Sequence, residues 1–176
     1  MLNIVLNFLI ANCNRDFGNK YGVSQTAILL LATLFALVNG TCRFAWGWLM
    51  DKYGFTKLTC VISLLEIFAS SAIYFSVKND ILYILVILVI ALCQGGTFCV
   101  LSPTFTKIFG IDIGPRLYSL SGSLLGISQF CGPLMTKFIL SKKIDYLIAF
   151  LVGGSFCVLQ LISLLFFDEN EKVTII

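Results

Sequence analysis

Two charges stand inside long apolar runs of this sequence, and they are the residues best placed to do chemistry. Arg43 follows an uncharged stretch from Thr26 to Cys42, and no further charge appears until Asp51. Glu66 sits in the middle of TCVISLLEIFASS, residues 59–71. A guanidinium holds a carboxylate through two parallel N–H donors. A carboxyl removed from water either pairs with a cation or exchanges a proton. Arg43 lies eight residues before Asp51, and Glu66 eight residues after Leu58. Each is therefore about 12 Å of helix away from the same short polar turn. Three arrangements follow: a structural ion pair, a Glu66 that titrates on its own, or two charges facing different cavities.

The elements that carry these charges are membrane helices. Hydrophobic residues make up 59% of the 176 and charged residues 12%, against about 25% charged in a soluble domain. The apolar blocks are also too long for core helices of a globule. Five full spans are expected, at about 25–49, 58–77, 81–103, 117–140 and 146–167. Each is long enough for a hydrocarbon core of about 30 Å. A shorter apolar helix at 1–12, about half a span, precedes them, and its length suggests that sequence is missing upstream. DKYGFTK, KND, FTKIFGIDIGPR and SKKID read as polar connections, CNRDFGNKYGVS as a loop, and 168–176 as a polar tail. The organisation is thus a partial helix (1–12), a five-helix remainder (13–167) and a tail. Lys52, Lys57, Lys107, Arg116 and Lys172 face roughly as many cations on the other side, so charge alone sets no orientation.

At the bilayer centre a charge costs at least about 2.5–3.5 kcal/mol, so Arg43 must face the bundle or a cavity. Ala36, Asn39, Arg43 and Gly47 share one helix face, a small and polar stripe. Gln94, next to Gly95 and Gly96, recurs at similar depth. Asn3 and Asn7 sit four apart, as bundle-facing amides do. Ser119, Gly122, Ser123 and Gly126 read as helix packing, and Gly132-Pro133 as a place where a helix can bend. Gln160 carries no inferred role.

Other chemistries are excluded. There is no histidine, and the seven cysteines form no CxxC pair. Neither a zinc site nor Ser-His or Cys-His catalysis can be built, and SGS at 121–123 has no base beside it. The cysteines read as small hydrophobes. The net charge of +3 is spread over loops and does not point to nucleic acid. No metal, cofactor or enzymatic activity is expected.

The stretch from Gly40 to Lys57, GTCRFAWGWLMDKYGFTK, resembles the loop signature of the major facilitator superfamily, G-x-x-x-D-x-x-G-[RK]-[RK]. Gly47, Asp51, Gly54 and Lys57 fit it, while Phe55 and Thr56 depart from its basic positions. NGTCR and GGTFCVLSPTFTKIFG are similar to the second half of oxalate/formate antiporter-like and monocarboxylate-porter-like members. The resemblance covers residues 1–167 and implies half of a twelve-helix fold, with 1–12 the remnant of its seventh helix.

It further implies that the Asp51 loop is cytoplasmic and helps lock two half-bundles in one conformation. Arg43 matches the arginine that binds a substrate carboxylate in oxalate-transporting members, and Glu66 an acidic position in the ninth helix. Those members carry a lysine in the eleventh helix, whereas Leu117 to Pro133 contains no lysine or arginine. One cation favours a monocarboxylate over a dianion. The expectation is a multi-pass secondary transporter for a small organic anion, with Arg43, Asn39, Gln94 and Asn7 around the substrate. Glu66 would be counter-charge or proton carrier. Its partners would be a small carboxylate, a proton, the lipid bilayer, and either a missing N-terminal half or a second half-size chain. The alternative is a non-transporting structural subunit, in which Arg43 and Glu66 neutralise each other.

Overall fold

A computed structural model describes residues 3–141 and 146–167, side chains excepted at 5, 124–125, 127–136, 138–141, 147 and 149. The described residues form five helices: α1 (Asn3–Tyr21), α2 (Gln25–Tyr53), α3 (Phe55–Ser76), α4 (Asp80–Ser141) and α5 (Tyr146–Leu164). The polar tail and most of SKKID lie outside the described residues.

Two glycines turn the chain back on itself. Gly54, between α2 and α3, has φ 81° and ψ 173°, and Gly110, within α4, has φ 82° and ψ 171°. That backbone region is essentially closed to residues with a Cβ. Gly110 therefore divides α4 into a first limb, 80–109, and a second, 111–141. Gly114 tightens the reversal, since a Cβ there would lie 2.6 Å from the Cα of Thr106. Phe105 then meets Tyr118 at 6.2 Å across the turn.

Two polar segments are more helical than their composition suggests. CNRDFGNKYGVS reads as a loop, yet α1 continues through it to Tyr21 and is 19 residues long. FTKIFGIDIGPR likewise forms the ends of the two α4 limbs, broken only at Gly110. Packing overrides local polarity here: Phe17 of α1 is fully buried against Tyr83, Tyr146 and Phe150, with ring centroids 5.1–6.3 Å away. The Tyr83 hydroxyl donates to the Asn14 carbonyl at 2.6 Å, anchoring α1 at the start of its polar part. Gly132-Pro133 lies within the helical backbone of the second limb.

The first limb of α4 is the axis of the bundle. It packs against α2 on one side and α3 on another, while α2 and α3 scarcely touch beyond their shared hinge. Gly96 marks the crossing, where a Cβ would meet the Trp46 ring of α2 at 2.8 Å and Ile62 of α3 at 3.0 Å. Trp46 Nε1 donates to the Leu92 carbonyl at 2.9 Å, closing the α2 contact. α1 and α5 complete the core, Gly153 of α5 bringing that helix onto Leu6.

Among the described residues three helices are long and apolar enough to cross a membrane: Gln25–Tyr53, Phe55–Ser76 and the part of α4 from Asp80 to Ser123. A shorter apolar stretch, Phe150–Leu164, lies in α5. Phe44, Phe68, Phe75 and Ile81 stand outward on these helices, as lipid-facing or partner-facing side chains do. The described residues are helical apart from short turns, and the chain is an integral membrane protein of the multi-pass kind.

Candidate functional site

Arg43 and Glu66 do not meet. Being next in sequence across one hinge, α2 and α3 suggest neighbours, but the first limb of α4 stands between them. The two charges belong to two separate polar sites, which removes the ion pair from the arrangements open from the sequence.

The first site is a chain of side-chain hydrogen bonds across α2 and α4. Gln94 is buried and accepts from Asn39 Nδ2 through its Oε1 at 3.0 Å. Asn39 Oδ1 in turn accepts from Arg43 Nη2 at 3.2 Å. Arg43 lies over the Phe98 ring, 5.8 Å from its centroid, and forms no ion pair among the described residues. An amide can donate from one end and accept at the other, so Asn39 is orientated by Gln94 and passes that orientation to the guanidinium. Most of the Arg43 donors remain for an anion, on the exposed face of α2. Arg43, Asn39 and Gln94 thus stand together, as their common depth in the sequence suggests. Asn7, expected beside them, is not part of this group.

The second site surrounds Glu66, whose side chain is 0% exposed. Its Oε1 accepts from Asn7 Nδ2 at 2.8 Å and from Asn3 Nδ2 at 3.2 Å. Cys157 Sγ donates to Oε2 at 3.5 Å. Asn3 Nδ2 also reaches Thr97 Oγ1 at 2.8 Å, and the Asn3 backbone N–H donates to Gln160 Oε1 at 3.0 Å. Gln160 Nε2 then donates to Ser63 at 3.3 Å. Four helices, α1, α3, α4 and α5, thus converge on one carboxyl. Asn3 Oδ1 and Asn7 Oδ1 are buried with no hydrogen-bond partner. A protonated Glu66 would have one of them to donate to after an amide turn, whereas a carboxylate accepts from the amide nitrogens as they stand.

The comparisons with known proteins agree with this architecture. The family model of the Major Facilitator Superfamily matches residues 1–174. The chain belongs to the Major Facilitator Superfamily. It is 32% identical over 113 residues to apicoplast pyruvate carrier 1 of Toxoplasma gondii. It is 26% identical over 115 residues to the oxalate:formate antiporter of Oxalobacter formigenes. These matches cover 61% and 62% of this chain but only 20% and 26% of the two relatives. Membership makes the chain part of a transporter family rather than an enzyme family.

In this major facilitator chain the Asp51 loop is the Gly54 hinge itself. Asp51 and Lys57 are exposed on either side of it, Gly47 stands one turn before Asp51 on α2, and Lys52 lies over the Trp48 and Tyr53 rings. The participation of Thr97, Ser63, Cys157 and Gln160 around Glu66 was not legible from spacing. The available hints were the Asn3/Asn7 pair and the three-residue interval from Cys157 to Gln160, both of which put polar atoms on one helix face.

Gly95 protects the first site. A Cβ at this position would stand 2.5 Å from Cys42 Sγ and 2.6 Å from the Asn39 carbonyl oxygen. The backbone oxygen cannot rotate away, so α2 must shift. Gly95→Ala is expected to lower stability by about 1–3 kcal/mol, the usual range for overpacking, and to displace Arg43. A thermal scan of detergent-purified protein checks this, and an unchanged midpoint would refute the close crossing.

Proposed function

We propose that this chain forms the substrate-binding half of a secondary transporter for a small monocarboxylate, with Arg43 as the carboxylate ligand. One observation carries the reading. A guanidinium in the middle of a membrane helix is held by Asn39 and Gln94, has no carboxylate partner among the described residues, and lies on a face open to the outside of the half-bundle. An arginine at this depth without a partner is costly, and a substrate carboxylate offsets that cost bidentately. A pyruvate carrier and an oxalate:formate antiporter among the relatives supply the substrate class. The single cation, with no lysine or arginine from Leu117 to Pro133, favours one carboxylate over two.

Alternating access then requires a second wall, from the remainder of a longer chain or from a second copy, rocking against this one. Glu66 is the proton carrier, remote from the substrate, and Asn7 and Asn3 serve it. The loop of Gly47, Asp51, Gly54 and Lys57 acts as the conformational contact. The structural-subunit alternative needs Arg43 and Glu66 to neutralise each other, and they share no contact. Counterflow tests the function: proteoliposomes loaded with unlabelled pyruvate should transiently accumulate labelled pyruvate without an energy source. Accumulation no greater than in protein-free vesicles would contradict transport of this substrate.

A further inference from the structure

A cavity of about 370 Å³ lies between α1 and α2, away from both polar sites. Its walls are Asn12, Asn14 and Arg15 on α1 and Ile28, Ala32 and Phe35 on α2, among others. That volume falls within the range of small-molecule pockets. Towards the outer end Gly18 lets α1 approach Ile28, and Tyr83 fixes the Asn14 carbonyl behind the wall, so the two helices that frame the cavity are held in place. The inner end leads to Arg43. Ala32, Phe35, Asn39 and Arg43 follow one another at three- and four-residue intervals along α2, so they share a face. Phe35 is four residues from Asn39, about 6 Å along the helix.

Of the side chains that line the cavity, one is charged, and it is positive. Arg15 is exposed and forms no ion pair or hydrogen bond among the described residues. Neighbouring Asp16 belongs to another face: it is four residues from Lys20, whose Nζ lies 5.2 Å over the Tyr146 ring of α5. Asn12 and Asn14 spend their amide nitrogens on the Phe8 and Ala11 carbonyls, leaving the guanidinium as the free donor group.

We infer that this cavity is an outer station for the substrate, where Arg15 holds a small carboxylate before it passes along α2 to Arg43. The inference rests on the carboxylate reading of Arg43, and the mouth lies at the end of the bundle opposite Gly54 and Gly110. Two cations in series make a path on which an anion is attracted in and then handed on, the local potential raising its concentration.

Thiol labelling tests the station without relying on transport. Ala32→Cys places a thiol on the cavity wall, and Leu29→Cys repeats the test should the first variant fold poorly. In nanodiscs of phosphatidylcholine, the rates of an anionic and a cationic methanethiosulfonate are compared after subtracting labelling of the native cysteines. The anionic reagent should be favoured, and Arg15→Gln should lower that preference by about tenfold, with Arg15→Lys restoring much of it. Pyruvate should slow labelling in the parent and in the Arg43→Lys background, but not in Arg15→Gln. Failure of both introduced thiols to label, or a charge preference indifferent to Arg15, would overturn the station. Charge preference that depends on Arg15 without pyruvate protection would overturn the carboxylate as its ligand while leaving the cationic cavity. Protection abolished by adding phosphatidylglycerol would assign the cavity to a lipid headgroup instead.

Discussion

Arg43→Lys should lower pyruvate uptake by about 10- to 100-fold while leaving the protein inserted and folded. The lysine keeps the charge but replaces a planar fork with a point ammonium, so one of two hydrogen bonds to the carboxylate is lost. Hydrogen bonds to charged groups contribute about 1.5–3 kcal/mol, and about 1.4 kcal/mol corresponds to tenfold in affinity. Nothing in the fold depends on the guanidinium: Arg43 is exposed, its hydrogen bond is to Asn39, and its ring contact is to Phe98. Uptake kinetics in proteoliposomes, with thermal midpoints as the control, measure this. Undiminished uptake would remove Arg43 from the substrate site. Asn39→Ala should give a milder loss of the same kind, because it frees the guanidinium from Gln94.

Replacing Glu66 should divide proton coupling from stability. Glu66→Gln keeps a carbonyl oxygen where Oε1 now accepts from Asn7 and Asn3, so the bundle should remain folded. It removes the group that exchanges a proton. In the parent, an inward proton gradient should accelerate uptake, because carboxylate and proton enter together. In Glu66→Gln that acceleration should vanish, while exchange of labelled for unlabelled pyruvate at equal pH persists. Glu66→Leu is a different experiment. It leaves the Asn7 amide nitrogen buried without an acceptor, at a cost of about 1–3 kcal/mol for that group, and should lower the thermal midpoint. A gradient response in Glu66→Gln equal to the parent's would rule out this carboxyl as the proton carrier.

The relation between the two charges illustrates what sequence can and cannot carry. Depth along a helix is a local quantity, fixed by about 1.5 Å per residue, so the common level of Arg43, Glu66 and Gln94 was readable. Azimuth and neighbour order are tertiary quantities. The short turn at Gly54 suggests adjacent helices, yet Gly95 and Gly96 let the first α4 limb approach α2 so closely that it occupies the space between them. For the same reason Asn7, a bundle-facing amide, is expected from the sequence beside Arg43 at the substrate but belongs to the other site. It faces Glu66 of α3.

The hinges divide in a similar way. Gly54 lies in a recognisable motif, and its position was evident. Gly110 has the same backbone conformation but stands in FTKIFGIDIGPR, whose polar residues suggest a loop. The helical limbs on either side of it form because Phe105 and Tyr118 pack across the reversal, a contact thirteen residues apart in the chain. Polarity also misled at Asn12 to Lys20, where Phe17 and Cys13 are buried on one face of α1 and hold it helical.

The decisive measurement is equilibrium binding of labelled pyruvate, made side by side on the parent protein, Arg43→Lys and Glu66→Gln. Binding should be saturable in the parent and weakened by about 10- to 100-fold in Arg43→Lys. It should be retained in Glu66→Gln, because α4 separates the two sites. Pyruvate bound equally well by the parent and Arg43→Lys would contradict the assignment of the guanidinium as the carboxylate ligand.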